Sequence, residues 1–323
     1  MIYSRIVGTG TCLPERVVDN DELARTVDTS DEWIRSRSGI RQRHIAGAGE
    51  TTSTLALGAA RQAMSMAGVK AGEIELLIVG TTTPDVIFPS TACLVQAELG
   101  ANGCAAFDVN AACSGFIYAL ALADKFIRSG SVKTALVIGA ETLSRMTDWT
   151  DRATCVLFGD GAGAAVLRAD REAGVLSTHL HADGAYRHLL YNPVGVSAGF
   201  KMDEPNAGLR VMMSGSEVFK VAVKTLDAVV EETLAANGLD KSAIDWLIPH
   251  QANLRIIDAT ARRLELPMER VIVTVDRHGN TSSASVPMAL DEGVRSGRIK
   301  RNDLLLMEAF GGGFTWGSAL LRF

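Results

Sequence analysis

Short apolar runs alternate with stretches of helical spacing along most of the chain. Residues 76–79, 134–139 and 304–307 are continuous apolar runs, the pattern of strands buried on both faces. The start, 5–14, reads as a strand closed by a turn, and 19–27 as a short helix. Leu57, Ala60, Met64 and Ala67 recur at three and four, which predicts a helix over 53–68 with Gly68 just past its end. A second short helix is expected over 92–99. The β-type run 105–109 feeds a turn carrying Cys113, and Phe116, Ala119, Leu120, Ala123 and Ile127 then repeat at helical spacing. A Gly-rich corner over 151–163 leads into a strand, 164–167. Residues 174–210 are rich in Gly, His, Asn and Pro and predict hairpins and a covering loop. The regular pattern resumes with helices over 218–237, 254–264 and 284–296 and strands over 244–250, 271–275 and 318–323.

The two halves echo each other. The segment ending at Gly68 and the strand that follows it match Gly238 and its strand, 170 positions on. Arg128-Ser-Gly130 matches Arg295-Ser-Gly297, 167 positions on, and each precedes one apolar strand. The chain therefore reads as α/β, two copies of one unit dividing at 1–171 and 172–323, with sheets covered on both faces in a layered sandwich. The 167 offset places Asn280 on Cys113, and the 170 offset places His250 on Gly80. Cys113, His250 and Asn280 then all fall at strand-end junctions, where ligands of parallel α/β sheets collect.

Composition narrows the function. With 323 residues, 47% apolar and 21% charged, the chain can build a large core. A net charge of −5 argues against general nucleic-acid binding, and no apolar run is long enough for a membrane span. Five cysteines at irregular spacing, without CxxC, favour reduced thiols in a cytosol over disulfides or zinc. His179 and His181 share one strand face but lack a third ligand, so they read as surface histidines, and no metal is expected. A free cysteine is commonly a small buried hydrophobe. Cys113, however, precedes a helix among small neighbours, where unpaired N–H groups and the helix dipole favour a thiolate. The cluster Trp33, Arg35, Arg37, Arg41 and Arg43 reads either as a solvated basic face or as a mouth that stacks a base on Trp33 and pairs phosphates with Arg37.

Asn110-Ala-Ala-Cys113-Ser-Gly-Phe, Pro249-His250-Gln-Ala-Asn-Leu-Arg255, His278-Gly-Asn280-Thr-Ser and Gly311-Gly-Gly-Phe-Thr-Trp-Gly317 together resemble the β-ketoacyl-acyl-carrier-protein synthase III family, of the thiolase fold. The resemblance implies a duplicated five-layer αβαβα sandwich and a homodimer. It implies that Cys113 takes acetyl from acetyl-CoA and that malonyl-ACP is decarboxylated and condensed onto it. The product would be acetoacetyl-ACP, the first step of type II fatty-acid synthesis, with CoA as substrate and no cofactor. His250 and Asn280 would be donors to the thioester oxygen, and the N–H groups of Cys113 and Gly312 an oxyanion hole. Thr29, Trp33, Arg37 and Arg152 would meet the CoA nucleotide. Gly215, Phe219, Ala252 and Asn253 would line the pantetheine channel, and Phe88 would limit the partner's acyl pocket. Gln251, Ala252, Asn253, Leu254 and Arg255 would face ACP, with Arg262, Arg263, Lys220 and Lys224 as further basic positions. His278 shapes a turn and His44 is structural in this reading. Classical thiolases are disfavoured because no cysteine follows Cys155, and Cys–His–His synthases because Asn stands at 280. A relative using other primers or acceptors in a specialised pathway remains an alternative, and so does a non-catalytic CoA- or ACP-binding protein.

Overall fold

The computed structural model describes residues 2–197 and 210–323, so the end of the expected covering loop lies outside the described residues. In chain order, strand β1 (Tyr3–Cys12) leads to a ribbon of β2 (Val17–Asp19) and β3 (Gln42–His44) that encloses helices α1 (Asn20–Leu23) and α2 (Asp31–Ser38). Helix α3 (Thr52–Ala67), strand β4 (Leu76–Gly80), helix α4 (Thr91–Leu99), strand β5 (Ala105–Val109) and helix α5 (Gly115–Arg128) follow, then strands β6 (Thr134–Thr142) and β7 (Asp160–Asp170). The second run opens with β8 (Val175–Ala182) and the small ribbon β9 (Leu190–Tyr191) and β10 (Met212–Met213). Helix α6 (Gly215–Asn237), strand β11 (Trp246–Pro249), and helices α7 (Leu254–Arg263), α8 (Val275–His278) and α9 (Ser285–Arg295) come next. Strands β12 (Leu304–Gly311) and β13 (Thr315–Arg322) close the chain.

Two sheets carry the same design. The first has the order β1-β7-β6-β4-β5 and the second β11-β12-β13-β8. In each, a parallel pair, β4–β6 or β11–β12, is followed by two antiparallel pairs, and the first sheet adds β5 parallel to β4. The parallel pairs keep an offset of 170: Leu76 faces Ala135 and Trp246 faces Leu305.

Strand alternation sorts the apolar runs into layers. Leu77, Val79 and Leu136 face α3 and α4 on the outside of the first sheet. Leu76, Ile78, Leu305 and Met307 face the central layer, where Phe116 and Leu120 of α5 meet Val286 and Leu290 of α9. Leu304 and Leu306 face Val230 and Leu234 of α6 and Ile257 of α7 on the outside of the second sheet. The result is the five-layer αβαβα sandwich. Because both faces of the central strands are covered, they read as unbroken apolar runs.

Several expectations change. Only Asn20–Leu23 of the 19–27 stretch is helical. The glycines of the 151–163 corner partly lie inside β7, because α9 runs flat across it: a Cβ on Gly163 would fall 2.6 Å from the Met288 nitrogen. Residues 175–182, expected as part of a hairpin-rich cover, form an integral edge strand paired with β13.

The strand expected over 271–275 is reduced to one bridge between Leu247 and Val271, and the chain turns into α8 at Val275. Gln251 accounts for this. Its buried amide donates to the carbonyls of Pro249 (2.8 Å) and Ile272 (3.1 Å) and accepts from the N–H groups of Thr274 (2.8 Å) and Val275 (3.0 Å). One side chain thus satisfies backbone groups that a strand ladder would otherwise use. Gln251 is 1% exposed, so its expected place on an ACP-facing surface is corrected.

Replacing Gln251 with Leu strands these buried backbone groups. Urea denaturation should show a loss of about 3 kcal/mol or more, since each unsatisfied buried group costs about 1–3 kcal/mol.

Candidate active site

One cavity of about 1730 Å³ gathers Cys113, His250, Asn280 and Gly312. Cys113 sits on a single 3-10 turn, Ala112–Ser114, between β5 and α5. The matching turn in the second half is Ser282–Ala284, before α9. Ala112 and Ser282 share the same rare backbone geometry, with φ of 46° and 50°. The equivalence is therefore 170 at the site turns, as it is in the parallel strands. Cys113 corresponds to Ser283 and Asn280 to Asn110, which corrects the 167 register that set Asn280 against Cys113. The two asparagines also play the same local part. Asn280 Oδ1 accepts from Ser282 N–H at 2.9 Å, and Asn110 Oδ1 from Ala112 N–H at 3.5 Å. With its oxygen held this way, Asn280 has its amide NH₂ left to present to the cavity.

The nucleophile turn is tied to the Gly-rich loop after β12. Thr315 donates its hydroxyl proton to the Ala111 carbonyl (2.7 Å), and Ser114 donates to the Thr315 carbonyl (3.0 Å). A Cβ at Gly311 would lie 2.5 Å from the Cys113 nitrogen, so only glycine allows this contact. The N–H groups of Cys113 and Gly312 both favour the charged form of the Cys113 sulfur. His250 follows β11, and its Nδ1 lies 2.6 Å from Ser285 Oγ.

Burial governs the charges. Cys113 is 8% exposed, and desolvation pushes its thiol up to about 11, against the pull of Ser282 and the two N–H groups. The Glu141 carboxylate adds to the upward shift. Burial likewise drives His250 down to about 3. Burial thus works against the expected resting thiolate and favours the neutral thiol and the neutral imidazole.

At the mouth, Trp33 and Arg37 of α2 line the cavity. The Arg152 guanidinium lies 4.3 Å from the Trp33 ring centre and donates to the Asp28 carbonyl at 2.9 Å. Thr29 stands beside it with a buried hydroxyl. Arg152 and Thr29 do not line the cavity themselves, whereas Gly215 and Phe219 of α6 line it with Ala252 and Asn253. Asn253 caps α7 through Arg255 N–H (2.9 Å) and donates to the Arg37 carbonyl (3.0 Å), which fixes α7 to α2. Leu254 packs beside Gly39.

Arg43 leaves the basic cluster altogether. It is fully buried, donates to the carbonyls of Val18 and Val156, and is pulled down to about 10 by desolvation. Arg262 pairs with Asp258, and Arg263 with Asp227 and Glu231, so neither is a free cation. Arg255 lies 5.3 Å over the Phe219 ring instead. Phe88 is 84% exposed and does not line its own chain's cavity, which its neighbours Val86 and Ile87 do. His179 and His181 both meet Glu232. No helix among the described residues is long and apolar enough to cross a membrane.

Family profiles for 3-oxoacyl-[acyl-carrier-protein] synthase III match residues 107–184 and, for its C-terminal part, 234–323. A β-ketoacyl-[acyl-carrier-protein] synthase III of Xanthomonas campestris is 70% identical over 100% of this chain and 99% of its own. The chain belongs to the β-ketoacyl-acyl-carrier-protein synthase III family. As a member of it the chain is a condensing acyltransferase, of the type that carries out the initiating condensation of fatty-acid synthesis. A solved synthase III from Aquifex aeolicus is 48% identical, with a TM-score of 0.93 over 99% of this chain and 100% of the other. The priming β-ketosynthase of the R1128 polyketide pathway is 38% identical, with a TM-score of 0.94 over 99% and 96%.

Sequence reasoning missed three carboxyl and hydroxyl groups of this synthase site. Glu141 accepts from the hydroxyls of Thr82, Thr83, Ser282 and Ser283, joining the halves under the nucleophile. Ser285 contacts the imidazole. Glu308 lines the cavity from β12 with neither carboxyl oxygen hydrogen-bonded among the described residues. A polar residue inside an apolar strand run was the only signal available for Glu141 and Glu308.

Burial raises the Glu308 carboxyl from 4.5 to about 8, with the Asp227 charge adding to it. The folded chain then keeps a proton that the unfolded chain releases, so this group's stabilising effect fades as pH rises across that window. Glu308→Gln should gain on the parent between about pH 5 and 8 and hold its advantage above. Urea midpoints at about pH 5, 7 and 9 would show a difference that grows to a few kcal/mol, at about 1.36 kcal/mol per pH unit.

Proposed function

We propose that the chain transfers acetyl from acetyl-CoA to Cys113 and condenses it with malonyl-ACP, releasing CoA, CO2 and acetoacetyl-ACP. The observation that carries the reading is the convergence of Cys113, His250, Asn280 and the Gly312 N–H on one cavity. In the first half-reaction the Cys113 sulfur attacks the thioester carbonyl while its proton passes to the departing CoA sulfur. The N–H groups of Cys113 and Gly312 receive the oxyanion. In the second, loss of CO2 leaves an enolate whose oxygen is met by His250 and Asn280. Its carbon attacks the acyl-cysteine, and the released sulfur takes up one proton. Donors fixed in a desolvated site supply this stabilisation without reorganising.

The nucleotide of CoA would rest on the Trp33–Arg152 stack with Arg37 at its phosphates, and the pantetheine arm would pass between Phe219 and Asn253. Residues 1–171 then supply the nucleophile, and 172–323 the imidazole and carboxamide. Phe88, exposed on its own chain, fits a homodimer in which it closes the partner's acyl pocket. ACP, an acidic partner, would dock near Arg255, Lys220 and Lys224.

Intact mass after incubation with a panel of acyl-CoAs, followed by malonyl-ACP, tests the assignment. An acetyl adduct that is lost in Cys113→Ala and discharged by malonyl-ACP is expected. Absence of any adduct on the parent chain would overturn it. The similarity to a priming synthase of a polyketide pathway favours one second reading, a primer other than acetyl. Preferential labelling by a longer acyl-CoA would establish that reading.

Arg255→Glu should lower kcat/KM for malonyl-ACP roughly tenfold or more while acetyl-CoA labelling of Cys113 changes little, because rim charges act mainly on encounter with the charged partner. Equal loss in both half-reactions would argue against a docking role.

A further inference from the structure

His250 and Ser285 occupy positions that the duplication makes equivalent to Gly80 and Gly115. In the first half those two glycines press backbone to backbone: a Cβ on Gly80 would lie 2.6 Å from the Gly115 carbonyl carbon. In the second half the same pair of positions carries side chains, and they meet at 2.6 Å through His250 Nδ1 and Ser285 Oγ. The Ser285 oxygen also accepts from the Gln251 backbone N–H at 3.2 Å. That backbone donor is held in place, since Gln251 is anchored by its own buried amide. Among the described residues the only acceptor that the Ser285 hydroxyl proton meets is Nδ1. An imidazole so buried is neutral and carries a single ring proton. If Nδ1 accepts, that proton resides on Nε2.

We infer that Ser285 is a positioning residue that locks His250 in the Nε2–H tautomer, so that the imidazole enters the condensation as a hydrogen-bond donor and not as a base for Cys113. This deepens the proposed function and rests on it for its kinetic consequence. Ser285 touches no reacting atom. It acts by deciding which nitrogen holds the proton, in the same way that Ser282 N–H decides which end of the Asn280 amide presents donors. Both second-half donors are thereby set by hydroxyl or amide groups of one short turn and the first residue of α9. The two half-reactions should then depend on Ser285 unequally. Acylation draws its oxyanion stabilisation from the Cys113 and Gly312 N–H groups, whereas decarboxylation needs the Nε2–H.

Nitrogen NMR of histidine-labelled protein, with His250 assigned by substitution, reads the tautomer directly and needs no substrate. The Nε2–H form is expected in the parent chain, and an Nδ1–H signal for His250 would overturn the inference. In Ser285→Ala the Nδ1–H form should become populated. Acetyl-CoA labelling of Cys113 should stay within about threefold, while malonyl-ACP decarboxylation falls about 10- to 100-fold, below the loss seen when a donor is removed outright. Ser285→Thr keeps the hydroxyl and should restore decarboxylation to within about threefold. Equal loss of both half-reactions in Ser285→Ala, or no rescue by Thr in a folded variant, would reduce Ser285 to a packing role. If the parent neither acylates nor condenses, the functional reading fails while the tautomer measurement still decides this one.

Discussion

The structure depends on a reciprocal clasp between its two halves. The turn that carries Cys113 presses on the end of β12, where Gly311 leaves 2.5 Å between a Cβ and the Cys113 nitrogen. The equivalent turn of the second half presses on β6 three residues before its end, where a Cβ at Gly139 would lie 2.2 Å from the Ser283 carbonyl oxygen. A glycine in the last residues of each half's strand is thus the seat for the other half's strand-to-helix turn. Neither seat tolerates a side chain, so the clasp sets the spacing between the halves to within the width of a methyl group. Glu141 stitches the same junction with hydroxyls from both halves. The cavity is what this clasp leaves open on one side.

Such a tight junction excludes water, and the electrostatics follow. The thiol of Cys113 is raised and the imidazole of His250 lowered by the same desolvation. A resting ion pair there would forfeit hydration without enough fixed partners to replace it. Charge therefore appears only during the reaction, on thioester oxygens, and it is there that fixed N–H donors converge. The helix start behind Cys113 and the nearby N–H groups ease ionisation, but they do not outweigh burial.

Much of this was legible in the sequence. The apolar runs marked the central strands because those strands are covered on both faces, and the helix stops at Gly68 and Gly238 are left-handed caps where expected. The motifs around Cys113, His250 and Asn280 brought together residues that the fold does place on one cavity. What periodicity could not carry was exchange of backbone partners. The expected strand at 271–275 has the right composition, yet the Gln251 amide takes its hydrogen bonds. Arg43 reads as a surface cation but spends its guanidinium on carbonyls inside the core. The 167 register failed because it was anchored on Arg-Ser-Gly turns, whose distance from the site differs between the halves.

With the register set at 170, the asymmetry of the duplication becomes chemically intelligible. Each half offers the same four positions: an asparagine, a strained turn, the residue at the end of a parallel strand, and the first residue of a buried helix. The first half fills them with Asn110, Cys113, Gly80 and Gly115, the second with Asn280, Ser283, His250 and Ser285. Where the first half has glycines, backbone packs on backbone and no group projects. Where the second half has His250 and Ser285, the same geometry is converted into an oriented donor. Ser283, standing where the nucleophile stands in the other half, is fully buried, its hydroxyl 2.7 Å from the Gly80 carbonyl and 3.1 Å from Glu141. One half thus became nucleophile and the other electrostatic partner by changing a few side chains on a shared scaffold. The clasp keeps them in register because each half is seated on the other.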